Sequence, residues 1–324
     1  MTSISCKDNK KWSFCKNIDF AGGILDQISE KSVLYKQESK KGMLMKRLWI
    51  LALAGLCACL WGCMYVSGSE EGESSMRLTA LDVGQGLAVL LEREGRFALY
   101  DFGPDSVGVV DTLLNRGADT LEWVVLSHFH RDHIGGFLEL LGRDVFVRRL
   151  YVGPDLLSSF FRDSVYRVAQ RLGVPVDTLE RGERVWFGGA RFDVLWPTSY
   201  AKVEGNGASL VLLGRYGEAR VLLTGDLDSL GERRLLEMNP TLSAELLQVA
   251  HHGSAGSNTL KFLSQVAPSY AFVSVGAGNS YGHPVQSVVR KLNLVLGDSA
   301  KLFRTDLRGS VAFELDSAMG VVVP

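Results

Sequence analysis

The chain has 324 residues, of which 46% are hydrophobic and 22% charged, and its 35 basic and 36 acidic side chains give a formal net charge of −1. This balance excludes the strongly basic footprint of a dedicated nucleic-acid-binding domain. All five cysteines lie before residue 64. A disulfide framework and a cysteine-ligated metal site are therefore excluded from the rest of the chain.

The N-terminal part of the chain is basic and then strongly apolar. Residues 1–47 carry ten Lys and Arg against five Asp and Glu, a net charge of +5, whereas residues 68–324 carry 25 basic and 31 acidic side chains, a net charge of −6. Residues 48–66 form a run of 19 uncharged residues that follows Lys46 and Arg47. Such a run is long enough to cross a bilayer, and the basic flank places the following domain on the outer side.

Two interpretations of residues 48–66 remain open. They form either an uncleaved transmembrane anchor, with residues 1–47 as a cytoplasmic tail, or a lipoprotein-type signal that begins at Met43 or Met45 and ends near Cys59 or Cys63. In the second case the 42 residues before Met43 come from a misassigned upstream start, and Lys46 and Arg47 form the short basic region of the signal. Both interpretations predict a protein of the cell membrane whose C-terminal domain is extracytoplasmic, connected by a Ser/Glu/Gly-rich linker at 67–75.

Residues 76–324 predict one α/β domain, since about 250 residues suffice for a unit of two sheets and four layers. Short apolar segments alternate with amphipathic ones along this part of the chain. In chain order we expect strands at 77–83, 88–92 and 97–101, a helix at 107–115, a strand at 121–126, a helix through 141, a helix at 156–172, strands at 184–187, 190–195, 209–214 and 220–224, a helix, a strand at 245–249, a helix at 258–267, a strand at 270–275, a helix at 284–296 and terminal strands.

The strand at 121–126 ends in the segment SHFHRDHIGG, which contains three of the six histidines of the chain. His128 and His130 are two residues apart, so in extended backbone both side chains leave on the same side and can share one metal ion. Asp132 and His133 follow where the chain turns and are available for a second ion. Imidazole and carboxylate without thiolate suit Zn²⁺, Mn²⁺ or Fe rather than a structural zinc site.

The segment SHFHRDH contains the HxHxDH signature of the metallo-β-lactamase superfamily. Further segments, in order, resemble the hydrolase domain of the ComEC/Rec2 competence proteins and its secreted phosphorylcholine-esterase-like relatives. They are LDVGQG (81–86), LYDFG (99–103), NGASLVL (206–212), LLTGDL (222–227), LLQVAHHGS (246–254), NSYGHP (279–284) and FRTDLRGSV (303–311). The resemblance covers residues 76–324 and implies a four-layer αββα sandwich that binds two divalent metal ions, Zn or Mn.

The resemblance also implies roles for residues outside SHFHRDH. Asp226 is expected to bridge the two ions, and Asp101 to orient a ligand from behind. Many superfamily members carry a further histidine between HxHxDH and the bridging Asp, but this chain has none from 134 to 250. His251 is the expected replacement, which would complete the first site with His128 and His130. His252 would then either support a metal ligand from behind or contact substrate oxygens.

His283 in NSYGHP is expected at the second ion together with Asp132, His133 and Asp226. Asp132 and His252 are the expected catalytic residues. One departure from the family concerns Leu87, which stands where ComEC-like domains generally have Asp. A catalytically degenerate binding domain in competence or envelope assembly is therefore an alternative.

The resemblance and the ligand set together predict a membrane-anchored extracytoplasmic phosphodiesterase or nuclease that uses a metal-bound hydroxide. Its substrate would be a phosphodiester in DNA or in a cell-envelope polymer. Hydrolysis of a β-lactam or a thioester on the same ions is the alternative reaction. The net charge indicates no strong basic surface for nucleic acid, unless a group of arginines clusters near the metals: Arg143, Arg148, Arg149, Arg162, Arg167 and Arg171.

Overall fold

The computed structural model describes residues 75–105, 107–154, 159–199 and 203–323. The predicted tail, apolar segment and most of the linker lie outside these ranges, and none of the helices within them is long and apolar enough to cross a membrane. The strands are β1 Ser75–Ala80, β2 Val89–Arg93, β3 Arg96–Tyr100, β4 Thr120–Leu126, β5 Phe146–Val147, β6 Leu150–Val152, β7 Val176–Thr178, β8 Arg184–Phe187, β9 Ala190–Trp196, β10 Val211–Tyr216, β11 Ala219–Leu223, β12 Leu246–Gln248, β13 Tyr270–Val273, β14 Leu302–Arg304, β15 Val311–Asp316 and β16 Gly320–Val322.

Helices connect many of these strands. The α-helices are α1 Val109–Asn115, α2 Arg131–Leu138, α3 Phe160–Leu172, α4 Ser229–Met238, α5 Leu260–Val266, α6 Gln286–Leu296 and α7 Thr305–Arg308. Short 3₁₀ turns span Gly205–Ala208, Ala250–Gly253 and Ser299–Lys301. The short strands β5, β6 and β7 were absent from the sequence-based expectation, because two or three residues are too few to show alternation.

The strands form two mixed sheets. The first has the order β16-β15-β1-β2-β3-β4-β6-β7, with β5 beside β4, and the second has the order β14-β13-β12-β11-β10-β9-β8. Strands β3, β4, β6 and β7 run parallel in the first sheet, as do β11 to β14 in the second. Strand β5 also pairs parallel with β4, and the other pairs are antiparallel.

Three buried clusters show that the sheets stack between two helical layers. One lies between the sheets, one packs the first sheet against α1, α2 and α3, and one packs the second sheet against α4, α5 and α6. Strand β11 illustrates the arrangement, since Val221 and Leu223 face the other sheet while Leu222 faces the helices. The αββα sandwich predicted from the sequence is confirmed.

Several helix boundaries differ from the expectation for local reasons. Helix α2 ends at Leu138 rather than near 141, because the chain tightens there into a Leu140 N–H···O=C Phe137 bond. Helix α3 begins at Phe160, where the Ser159 side chain accepts the backbone N–H of Arg162. Helix α5 begins at Leu260 behind a capping Thr259. In each case side-chain or backbone capping decides the end of the helix.

Candidate metal centre

The candidate site lies where parallel strands of both sheets end. Asp101 follows β3 and His128 follows β4, while Asp226 follows β11 and His251 follows β12. The carboxyl ends of parallel strands are the usual place for a site in α/β proteins. Stacking the two sheets therefore brings residues far apart in sequence to one edge of the sandwich.

Helix α2 is held against the loop that follows β3 by close backbone contact. A Cβ atom added to Gly135 would lie 2.1 Å from the backbone nitrogen of Asp105, and one added to Gly136 would lie 2.5 Å from the carbonyl oxygen of Phe102. Only glycine allows this approach. The glycine pair thereby fixes the position of Asp132 and His133 in the first turn of the helix.

Asp101 is fully buried behind the site and orients His133. Its carboxylate accepts the backbone N–H of Ser127 at 2.6 Å, the Ser127 hydroxyl at 2.7 Å and the His133 Nδ1–H at 2.7 Å. Asp101 adopts a left-handed backbone conformation with φ 59°, a costly conformation of the kind found at functional sites. With Nδ1 engaged, His133 presents Nε2 to the site.

Two groups of potential ligand atoms meet at Asp226, which is 2% exposed. One group consists of His128, His130 and Asp226, and the other of Asp132, His133, Asp226 and His252. His128 Nε2 lies 3.9 Å from Asp226 Oδ2, and His133 Nε2 lies 3.1 Å from Asp226 Oδ1. The two groups thus approach different oxygens of one carboxylate.

Three of these ligand atoms are buried and have no hydrogen-bond partner: His128 Nε2, His133 Nε2 and Asp226 Oδ1. The last two are near each other but are not aligned as a hydrogen bond. Buried polar atoms almost always have a hydrogen-bond partner. Three buried histidine nitrogen and carboxylate oxygen atoms without partners around one carboxylate are therefore exceptional. A pair of divalent cations between these groups would satisfy all three, and the residues fit such cations.

The pKa values of the buried groups also indicate a site for cations. Burial favours the neutral form of Asp226, but His133 and His252 outweigh it and hold the pKa of this carboxyl well below its usual range. Burial lowers the pKa of His133, but Asp226 and Asp101 outweigh it and raise that pKa well above its ordinary value. The buried carboxylates thus favour positive charge among the imidazoles.

His252 lies on the 3₁₀ turn after β12, where both it and His251 have positive φ values of 53° and 52°. The His252 ring is 97% buried, and its Nδ1 donates to the Ser274 carbonyl oxygen at 2.8 Å. Its Nε2 consequently faces the site, 3.2 Å from Asp132 Oδ2 and 3.6 Å from Asp226 Oδ1. This is the orientation of an imidazole whose second nitrogen is free to bind a metal.

The structure therefore arranges the paired histidines differently from the expectation. His252, expected to contact substrate, belongs to the second group of ligand atoms, whereas His251 and His283 lie outside both groups. His251 Nε2 is 3.8 Å from Asp226 Oδ2, and the rings of His251 and His283 are 5.8 Å apart. The proline-linked loop at His283 brings its ring to the rim of the site rather than to Asp132 and His133.

A cleft of about 510 Å³ opens above these groups. Its walls include residues that the sequence did not single out, namely Gln85, Asp105, Arg131, Asn206 and Tyr281. All but Asp105 lie inside the segments that resemble the family, and Asp105 lies two residues after one of them, so the resemblance was a signal that could have found them. Leu87, in contrast, is fully buried in the core between the sheets and does not line the cleft.

Comparison with known proteins agrees with the fold and the site. Residues 81–277 match the Metallo-beta-lactamase superfamily, and the chain belongs to this superfamily. It is 30% identical over 294 residues to ComE operon protein 3 of Bacillus subtilis (strain 168), covering 84% of this chain and 37% of that protein. It is 33% identical over 282 residues to Competence protein ComA of Neisseria gonorrhoeae, covering 85% of this chain and 36% of that protein.

A third relative is Recombination protein 2 of Haemophilus influenzae, which is 32% identical over 231 residues, with 69% of this chain and 27% of that protein covered. The chain therefore spans about a third of the length of the curated relatives it matches. The resemblance to ComEC/Rec2 proteins is confirmed. The metallo-beta-lactamase fold protein YhfI from Bacillus subtilis shares the fold, with a TM-score of 0.51, 13% identity and coverage of 74% of this chain and 99% of that chain.

Proposed function

We propose that this protein is a binuclear metal-dependent phosphodiesterase whose catalytic domain is anchored at the outer side of the cell membrane. The observation that carries the proposal is the pair of ligand groups that share buried Asp226 and leave three of their atoms without hydrogen-bond partners. The names of the relatives, which refer to competence and recombination, support a phosphodiester in nucleic acid as substrate. The cell-envelope phosphodiester remains the other candidate.

The first ion would be held by His128, His130 and one oxygen of Asp226, with His251 near enough to complete this site. The second would be held by four groups, namely Asp132, His133, His252 and the other oxygen of Asp226. Nitrogen and carboxylate ligands suit Zn²⁺ or Mn²⁺. When bound, the two cations supply Lewis-acid activation of water and of a phosphoryl oxygen.

The chain itself orients these groups and shapes the cleft. Asp101 and the Ser274 carbonyl fix the rings of His133 and His252, so that both Nε2 atoms face Asp226. Asp132, which was expected to be catalytic, has a carboxylate that is 34% exposed and reaches the cleft. His283 and Asn206 lie in the cleft wall, where they can donate hydrogen bonds to substrate oxygens.

The test is substrate profiling of the full-length chain loaded with Zn²⁺ or Mn²⁺. We expect two ions per chain by elemental analysis and hydrolysis of bis(p-nitrophenyl) phosphate, with a single-stranded oligonucleotide and p-nitrophenylphosphorylcholine separating the two substrate candidates. Asp226→Asn should abolish turnover. Asp228→Asn is the matched control, because Asp228 only caps α4 by accepting the Gly231 N–H.

Three outcomes would contradict the proposal. Saturation with a single ion would exclude the binuclear site. Cleavage of a β-lactam or thioester without cleavage of any phosphodiester would assign a different reaction. Two bound ions without any hydrolysis would identify a binding domain.

A further inference from the structure

A second surface with unusual charge lies at the other end of the second sheet from the cleft. The strands β8 and β9 alternate in burial, with Val185, Phe187 and Phe192 packed between the sheets. Their alternate residues therefore point to the outer face of the sheet. We call these outward residues, with their neighbours on β10 and β11, the arginine surface: Arg184, Trp186, Arg191, Asp193, Arg215 and Arg220.

Three arginines of this surface stand directly opposite one another on adjacent strands. Arg191 on β9 pairs with Arg215 on β10, which pairs with Arg220 on β11, and Trp186 on the edge strand β8 pairs with Arg191. Like charges directly opposite each other in a sheet are destabilising. This row is therefore not explained by the stability of the sheet.

One carboxylate compensates the four arginines of the surface. Asp193 forms ion pairs with Arg184 at 3.0 Å, Arg191 at 3.1 Å and Arg215 at 3.3 Å. Within the described part of the chain, the Arg220 guanidinium forms no ion pair, and its buried Nε has no hydrogen-bond partner. The six residues of the arginine surface thus carry a net charge of +3 on a domain that is acidic as a whole; the nearby Glu245 carboxylate accepts the backbone N–H of Arg220 at 3.3 Å.

The surface is open to solvent. The side chains of Arg184, Arg191 and Arg215 are 58%, 37% and 41% exposed, and the Trp186 indole is 59% exposed. Helix α4 covers only the other end of this face, where Leu213 and Leu222 pack against Leu235 and Leu236. An exposed planar ring beside guanidinium groups matches a polymer that carries both anionic groups and flat ring systems.

We propose that the arginine surface binds single-stranded nucleic acid, with its guanidinium groups on phosphates and Trp186 stacked on a base. Arginine forks suit phosphate oxygens, and stacking on an aromatic ring is the usual sequence-tolerant contact with an unpaired base. An anionic envelope polymer would satisfy the arginines but would offer no flat ring to the indole. The proposal goes beyond the hydrolytic site, because Arg220 lies near the start of β11 and Asp226 follows the end of that strand, six residues later and up to about 20 Å away.

The arginines named as candidates from the sequence do not form such a group. Arg143 pairs with Asp111, and Arg149 pairs with Asp177. Arg162 lies over the ring of Tyr166 on the helical layer outside the first sheet. The other exposed arginines of α3, Arg167 and Arg171, therefore provide a matched control with the same charge on a different face.

The experiment measures binding of a fluorescent 15-residue oligothymidylate to the full-length chain by anisotropy, in EDTA so that no hydrolysis occurs. We expect Trp186→Leu to weaken binding at least about 5-fold. The double variant Arg191→Ala/Arg215→Ala should weaken it at least about 10-fold and reduce the slope of log affinity against log salt from about −2 to about −0.7, because fewer phosphates are neutralised. Arg167→Ala/Arg171→Ala should stay within about 2-fold of the unaltered chain.

Thermal unfolding confirms that each variant is folded, and turnover of bis(p-nitrophenyl) phosphate should be the same in all of them. Loss of oligonucleotide binding with unchanged turnover concerns the arginine surface alone, whereas absence of turnover in the unaltered chain would contradict the proposed activity and not this proposal. Equal weakening by the control pair, unchanged binding in the Trp186 variant, or no binding by the unaltered chain would overturn the proposal. Tighter binding of a teichoic acid than of the oligonucleotide would assign the surface to an anionic envelope polymer. Dimerisation of the unaltered chain that is lost in Trp186→Leu would assign the surface to a second copy of this chain.

Discussion

The hydrogen bonds of Asp101 make a sharp prediction about the second metal ion. In Asp101→Asn the side chain keeps its shape but replaces one acceptor oxygen with an NH₂ group. In the unaltered chain both carboxylate oxygens accept hydrogen bonds. One oxygen accepts the Ser127 N–H, and the other accepts the Ser127 hydroxyl and the His133 Nδ1–H. Either orientation of the amide therefore places two donors against each other. In the orientation that keeps the Ser127 N–H bond, His133 loses the acceptor that directs its Nε2 toward Asp226.

Two effects of different size follow. Loss of one buried charge-assisted hydrogen bond should lower the free energy of unfolding of the metal-free chain by about 2–3 kcal/mol, which is a fall in Tm of roughly 5–10 °C for a domain of this size. Loss of the group that orients a metal ligand should weaken binding of the second ion about 10- to 100-fold. The first ion should be bound almost unchanged, because His128 makes no hydrogen bond to Asp101.

The assay is competition for Zn²⁺ with a chromophoric chelator, beside thermal unfolding in EDTA. Glu232→Gln is the matched control, since Glu232 is also a fully buried carboxylate and accepts the backbone N–H groups of Asn258 and Thr259 at the start of α5. It should destabilise the chain without changing either metal affinity. If Asp101→Asn binds the second ion as tightly as the unaltered chain, or Glu232→Gln weakens it equally, the proposed role of Asp101 is wrong.

Four further predictions concern metal binding and location. Asp226→Ala should lose both ions, and loss of only one by elemental analysis would remove Asp226 from the bridging position. His252→Gln should lower occupancy of the second site while His251→Gln leaves that site filled. If His252→Gln instead keeps both ions and only slows turnover, the assignment made from the sequence is restored. Burial lowers the pKa of His252, but Asp226 and Asp132 outweigh burial and raise that pKa above its ordinary value, which strengthens the competition between a proton and an ion for this imidazole. Affinity measured between pH 6 and 8.5 should therefore rise with pH, by up to about tenfold per unit for each displaced proton. Reporter fusions after residue 75 should lie outside the cytoplasm, and a cytoplasmic reporter would contradict the predicted orientation.

The sequence by itself determined the αββα fold and most of the candidate ligands. The apolar runs 123–126 and 221–223 are continuous because their strands are buried on both faces, and a single sequence shows this pattern. His128, His130, Asp132 and His133 lie within six positions, so local geometry alone brings them together. Asp226 follows from its place at the end of a buried strand and from the resemblance to known hydrolases.

Only the tertiary structure decided between His251 and His252 and placed His283. These adjacent histidines have the same chemistry, and their left-handed backbone sends one ring toward Asp132 and the other toward the cleft wall. The Ser274 carbonyl that orients His252 comes from a different strand, at a distance in sequence that no local pattern encodes. The arginine surface depends on tertiary structure for the same reason. Its charges come from two hairpins, β8–β9 and β10–β11, which are separated in sequence and become neighbours in the sheet, so a net charge summed along the chain conceals it.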